Sequence, residues 1–212
     1  MSMAHVRIFG IDPGSVRTGY GCVESDGTRH HLVRCGAITA PARLPFPERL
    51  LKIHDELRTL IEECRPDGVA VESLFHAVNA RSALQLGHAR GVALLAASQA
   101  RVPIAEYSPA EIKRAVVGYG RAEKHQVGQM IRLLLGLVEA PQPLDVSDAL
   151  AVAICHLHHC GQRALLEAAS ARAGVDPSAA AGAGVQAPVR RRAGGGSATS
   201  WRKYKVAATP GR

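Results

Sequence analysis

VRIFGIDPGSVRTGYGCV, residues 6–23, reads as two apolar strands around a Pro-Gly turn: Val6 to Ile11, then Gly19 to Val23. Asp12 stands directly after the first strand. A second turn, Ser25-Asp26-Gly27, leads into a third run, His31 to Thr39, so the first forty residues predict an antiparallel meander. Pro41 to Pro47 is a connector. Apolar residues at Leu50, Ile53, Leu57, Leu60 and Ile61 then recur at helical spacing over Arg49 to Cys64, and Pro66-Asp67-Gly68 ends that helix. Beyond it the pattern predicts a strand Val69 to Val71 closed by Glu72, a helix over about 80–100, and a strand Val102 to Ala105. A lysine-bearing segment follows, then helices over about 123–135 and 145–169. Three strands, helix, strand, helix, strand and further helices make an α/β chain, with a five-stranded mixed sheet flanked by helices.

Four carboxylates fall at ordered points of this pattern: Asp12, Glu72, and the pair Asp145 and Asp148 in LDVSDAL. Asp12 and Glu72 close strands, while a spacing of three puts Asp145 and Asp148 on one face of a helix. Taken singly, each has an ordinary reading, as a turn residue after a strand or, for Asp145, a helix N-cap. If the segments converge, the four cannot all stay ionised unless cations lie between them. With oxygen donors and no His or Cys in the set, the expected ion is hard and divalent, Mg2+ or in its place Mn2+.

The formal net charge is +8, but it is unevenly spread. From residue 171 onward there are eight basic side chains against Asp176 alone, whereas residues 1–170 carry 18 basic and 17 acidic ones. Residues 171–212, rich in Ala, Gly, Ser and Pro with RRR and WRKYK embedded, lack the apolar content to offset the cost of ordering and are expected to form a disordered basic tail. Five scattered cysteines suit a reducing, cytoplasmic setting better than a disulfide framework. No run approaches a membrane span, so no membrane partner is expected. Cys155, His156, His158, His159 and Cys160 are neighbours on one helix and point in diverging directions, which favours histidines on a helix face over a zinc site.

GIDPGSVRTGYG, VAVESLFHAVNARSALQLGHARG, VVGYGRAEKHQV and DVSDALAVAICH, in that order over roughly residues 6–160, resemble the RuvC family of Holliday junction resolvases. The resemblance implies a ribonuclease-H-like fold over residues 1–170, a homodimer, magnesium dependence, and paired symmetric nicks in four-way DNA junctions during recombination and repair. It also implies partnership with a branch-migration helicase. The family's acidic residues fall on Asp12, Glu72, Asp145 and Asp148, and its basic positions on Lys113 and Lys124. Two divalent ions about 3.5–4 Å apart would activate water and support the leaving oxygen, with Asp12 bridging them. Phe75 is expected to wedge against an unpaired base at the crossover, assisted by His76, Asn79 and Arg81. Arg114, Arg121 and His125 read as a solvated face. Helix 80–100, with Gly87 and Gly91, is the candidate dimer contact. Two rivals share the sheet: a nuclease cutting RNA–DNA hybrids, and an actin-like nucleotide-binding domain suggested by Asp12-Pro13-Gly14 and Thr18-Gly19, for which the chain is too short.

Overall fold

Strand β1 (Val6–Asp12) is the middle of the sheet, and its side chains alternate between two cores. Ile8 belongs to one buried cluster, while Phe9 and Ile11 belong to the other. The computed structural model describes residues 5–73 and 79–173, the last eleven as helix backbone only. Strands β2 (Arg17–Ser25) and β3 (His30–Thr39) complete the antiparallel meander. Helix α1 (Phe46–Cys64) leads to β4 (Gly68–Glu72), and α2 (Ala80–Gln99) to β5 (Ile104–Tyr107); both strands run parallel to their neighbours. Helices α3 (Pro109–Val117), α4 (Lys124–Leu134) and α5 (Leu144–Ala173) follow. The sheet order is β3-β2-β1-β4-β5, the five-stranded mixed sheet expected.

Helices α1 and α2 cover one face through Ile53, Leu57, Ile61, Ala93 and Ala97. Helices α3 to α5 cover the other through Ile112, Val116, Val127, Ile131, Leu150 and Ile154. Both faces of the central strands are therefore dry, as parallel pairing requires. Helix α5 lies directly on the backbone of β1: a Cβ at Gly10 would meet the Ala149 carbonyl oxygen at 2.1 Å and the Ala153 nitrogen at 2.8 Å. At Gly19 it would meet the Asp145 carbonyl oxygen at 2.0 Å. Those glycines bring the first turn of α5 within reach of the strand that ends in Asp12.

The main departures from the sequence expectation are two shifted element starts and one additional helix. Helix α1 begins at Phe46 rather than Arg49, because Pro47 sits in the first turn, where its missing N–H costs nothing. Strand β5 is Ile104–Tyr107 rather than Val102 to Ala105; the Pro103 carbonyl accepts Val69 N–H at 2.9 Å, and ladder pairing starts with Val69 opposite Ile104. Within the lysine-bearing segment lies α3, which the periodicity did not reveal. Its signal is Ser108-Pro109-Ala110-Glu111: Ser108 and Glu111 form a capping box and proline occupies the first turn. A compact unit closes at Ala169, and residues from 174 onward, including most of the expected tail, lie outside the described residues.

Candidate active site

Parallel neighbours β1 and β4 end side by side, with Ile11 opposite Val71, and their next residues are Asp12 and Glu72. Since side chains alternate along a strand, Asp12 shares the face of Ile8 and Gly10, and Glu72 that of Ala70. That is the face on which α5 lies, and Asp145 and Asp148 occupy the first turns of α5. The structure thus gathers the four carboxylates predicted from sequence. Asp145 is the second residue of α5 and not its N-cap.

Electrostatics express the crowding. Burial, then the charge and hydrogen bond of Glu72, then the charges of Asp148 and Asp145, push the Asp12 carboxyl well above its ordinary range. Burial also raises Glu72, with Asp148 adding to the effect while Lys124 and Lys113 oppose it. Asp12 and Glu72 also act on one another through a side-chain hydrogen bond, which raises Asp12 and lowers Glu72, so of the two Asp12 is held further toward its neutral form. Two basic side chains hold the remaining pair: Lys124 Nζ donates to Asp148 Oδ2 at 2.7 Å, and Arg17 Nη1 donates to Asp145 Oδ2 at 3.4 Å. Held by these partners, the carboxylates do not already close as a cage: among the described residues, no three His, Cys, Asp or Glu groups surround one ion-sized point.

The donor chemistry nevertheless fits hard divalent cations. Every donor is a carboxylate oxygen, the like charges repel, and two side-chain cations offset part of that repulsion. Asp12, Glu72, Asp145 and Asp148 would hold such ions.

The loop after Asp12 is held from behind by groups that sequence reading missed. Thr18, fully buried, donates through Oγ1 to the Gly14 carbonyl at 2.9 Å and accepts Gly14 N–H at 3.3 Å. Arg49 is 6 % exposed and sends Nε to the Ser15 carbonyl at 2.8 Å, with Nη2 on the same oxygen. Its guanidinium lies 5.3 Å from the Phe46 ring centroid. A buried arginine was hidden because its helical position gives no sign that a loop 34 residues earlier needs a donor. At the other wall, Ser147 Oγ donates to the Pro141 carbonyl at 2.9 Å, anchoring the turn between the two aspartates of α5.

Of the expected DNA contacts, Lys113 and Lys124 reach the carboxylate cluster electrostatically. Arg81 is exposed in the first turn of α2, Asn79 caps that helix by accepting Ser82 N–H at 2.9 Å, and Phe75 and His76 lie outside the described residues. Arg114, Arg121 and His125 are exposed, with His125 beside Glu123 at 3.2 Å. The histidines and cysteines of residues 155–160 face different surroundings. His156 Nδ1 meets the Tyr107 hydroxyl at 2.7 Å, His158 turns toward β3, and His159 Nδ1 meets the Cys155 carbonyl at 2.8 Å.

Comparison with known proteins agrees with this geometry. The family model described as Crossover junction endodeoxyribonuclease RuvC matches residues 8–156. The crossover junction endodeoxyribonuclease RuvC of Chloroflexus aggregans is 52% identical over 153 residues, covering 72% of this chain and 93% of its own. That of Koribacter versatilis is 53% identical over 154 residues, covering 72% and 93%. Among solved structures, Thermus thermophilus RuvC in complex with Holliday junction substrate superposes with a TM-score of 0.71 at 35% identity, over 74% of this chain and 96% of that one. The fold is accordingly the ribonuclease-H-like one. The chain belongs to the RuvC family of crossover junction endodeoxyribonucleases.

Proposed function

We propose that this chain is a structure-selective endonuclease that resolves four-way DNA junctions by paired symmetric nicks, with Asp12, Glu72, Asp145 and Asp148 as its catalytic carboxylates and Mg2+ as its ion. One observation carries the reading: the paired ends of β1 and β4 and the first turns of α5 bring four carboxylates together, where burial and the other three raise Asp12. Such mutual repulsion is costly in a resting protein and is relieved when divalent cations are held among carboxylate oxygens. Magnesium bound there would supply the Lewis acidity that activates water and supports the departing 3′-oxygen.

The chain's own residues do the rest. Asp12 and Glu72 would hold the ions as ionised carboxylates, with Asp12, which feels all three other carboxylates, as the ligand common to them. Lys124 and Arg17 leave Asp148 and Asp145 and turn to the phosphates, where their charge holds the backbone against the acidic floor. Lys113, already close enough to act on Glu72, supports the same strand. The loop of residues 13–16, held by Thr18 and Arg49, keeps the Asp12 carboxylate from retreating.

Phe75 is assigned the wedge at the crossover, with Arg81 beside it on the DNA. Symmetric nicks require two such sites, and α2 offers the contact for a second copy: Leu84 and Leu95 are 65% and 52% exposed, and a Cβ at Gly87 or Gly91 would meet nothing within 4 Å. Residues 1–170 form the nuclease unit and residues 171–212 a basic tail. A branch-migration helicase is its partner on the junction, in the cytoplasm. Among the described residues no helix is long and apolar enough to cross a membrane.

Synthetic four-way, duplex and RNA–DNA hybrid substrates, each with and without Mg2+, test the reading. Wild type nicks the four-way substrate alone and only with Mg2+, whereas Asp12→Asn loses at least about two orders of magnitude in rate. Equal cutting of all three substrates, or near-normal nicking by Asp12→Asn, would reject it. Preference for the hybrid would favour the ribonuclease-H-like alternative.

A further inference from the structure

His30, the first residue of β3, and His158 of α5 face one another through their Nε2 atoms, 3.3 Å apart, with ring centroids 5.3 Å apart. His158 lies ten residues beyond Asp148 on α5, about 15 Å along the helix axis at 1.5 Å per residue, so this pair is separate from the carboxylate site.

The hydrogen bonding fixes one tautomer. His158 Nδ1 is 3.0 Å from the Ala115 carbonyl, an acceptor only, so Nδ1 carries the hydrogen and Nε2 presents a lone pair toward His30. Two arrangements remain for His30. If its Nε2 donates to His158, the Nδ1 lone pair is buried with no donor, and Nδ1 is indeed a buried nitrogen without a partner. If Nδ1 carries the hydrogen instead, two lone pairs converge across 3.3 Å. A cation between the two Nε2 atoms would turn the second arrangement's facing lone pairs into ligands, with His30 Nδ1–H left without a protein acceptor as it is now.

We propose that His30 and His158 form a two-imidazole site for a borderline transition-metal cation of the Zn2+ or Co2+ class. Two nitrogens bound at about 2.0–2.1 Å with a tetrahedral angle stand about 3.3 Å apart, which is the spacing found. A ligating histidine characteristically donates its second ring N–H to a carbonyl, as His158 does to Ala115. Imidazole donors select such ions over Mg2+, which prefers the oxygen-only set at the other end of α5. The rings open onto a cleft of about 780 Å3 lined also by Asp26, Thr28, Glu111 and Arg114, which gives an ion access and room for water in the remaining positions. Asp26 and Glu111 each engage one carboxylate oxygen in local hydrogen bonds with Thr28, Arg29 and Ser108 and add negative charge to the cleft. The bound ion pins the start of β3 to α5.

Co2+ titrated into the full chain in excess Mg2+, read by visible absorption and by melting temperature, tests the site. Wild type takes up one equivalent more than His30→Gln and His158→Gln, develops imidazole–cobalt absorption that both variants lack, and melts several degrees higher with the ion. Asp145→Asn behaves as wild type, which separates this site from the carboxylates. Among the described residues the His30 ring bonds only His158, so His30→Gln carries the test if His158→Gln folds poorly. Equal uptake by wild type and His30→Gln, or a wild-type signal lost in Asp145→Asn, would overturn the proposal.

Discussion

Asp12 reports its surroundings through its proton. Its folded-state ionisation lies above the ordinary value of 3.8, so it contributes stability that is complete below that value and is lost as pH rises through the raised one. In chelator, the melting temperature of the wild type should therefore fall as pH climbs from about 4 toward neutrality, and Asp12→Asn should flatten that decline. Added Mg2+ should raise the wild-type melting temperature more at pH 8 than at pH 5, because at low pH the ion competes with protons for the raised carboxyls. Equal magnesium shifts at both pH values would show that the carboxyl proton and the ion do not occupy one site. Lys124 belongs to the same scale. Its Nζ–Asp148 bond raises its own pKa, so it stays charged throughout this range, and Lys124→Ala should weaken junction binding and reduce the salt slope by about one phosphate contact. An unchanged slope in a binding titration would remove it from the DNA path. Asp12, Glu72, Asp145 and Asp148 stood out in the sequence because carboxylates at strand ends and one helix face suit a hard cation, and Lys124 through the family resemblance. Arg17 and Arg49 were not, since each meets its partner across a separation that one sequence does not encode.

Helix α5 connects fold to site. It carries Asp145 and Asp148 in its first turns and Ala149 and Ala153 against Gly10, so its depth on the sheet sets how near the aspartates come to Asp12. Gly10→Val would drive side-chain carbon into the Ala149 carbonyl and should cost about 3 kcal/mol, lifting the helix and lowering nicking out of proportion to the stability lost. Gly161→Ala, on the same helix where a Cβ meets nothing within 4 Å, should instead stabilise by roughly 0.5–1 kcal/mol. Chemical denaturation of both variants checks the pair, and equal effects would place α5 elsewhere. The period-2 run of β1 and the helical spacing of α1 made those elements readable. Helix α3 escaped because nine residues with two buried apolar positions show little periodicity, although its capping box is written in the sequence. The offset of β5 escaped for a different reason: the carbonyl of Pro103 completes the ladder where its missing N–H could not begin one.

Across the whole molecule, topology produces the site. A sheet ordered β3-β2-β1-β4-β5 places the ends of two parallel strands together at its centre, and the helix after β5 and α4 returns across that end. Separations of 60 residues between Asp12 and Glu72, and 73 between Glu72 and Asp145, are closed by that arrangement. Convergence could be inferred from sequence only through four matching blocks in order, because propensity fixes elements and not their neighbours. Under the proposed function, bound divalent cations offset the like charges gathered there. Anomalous scattering from Mn2+-soaked crystals of the full chain tests that claim most directly: density should lie among Asp12, Glu72, Asp145 and Asp148 and vanish in Asp12→Asn, whereas an empty carboxylate cluster at saturating Mn2+ would contradict it.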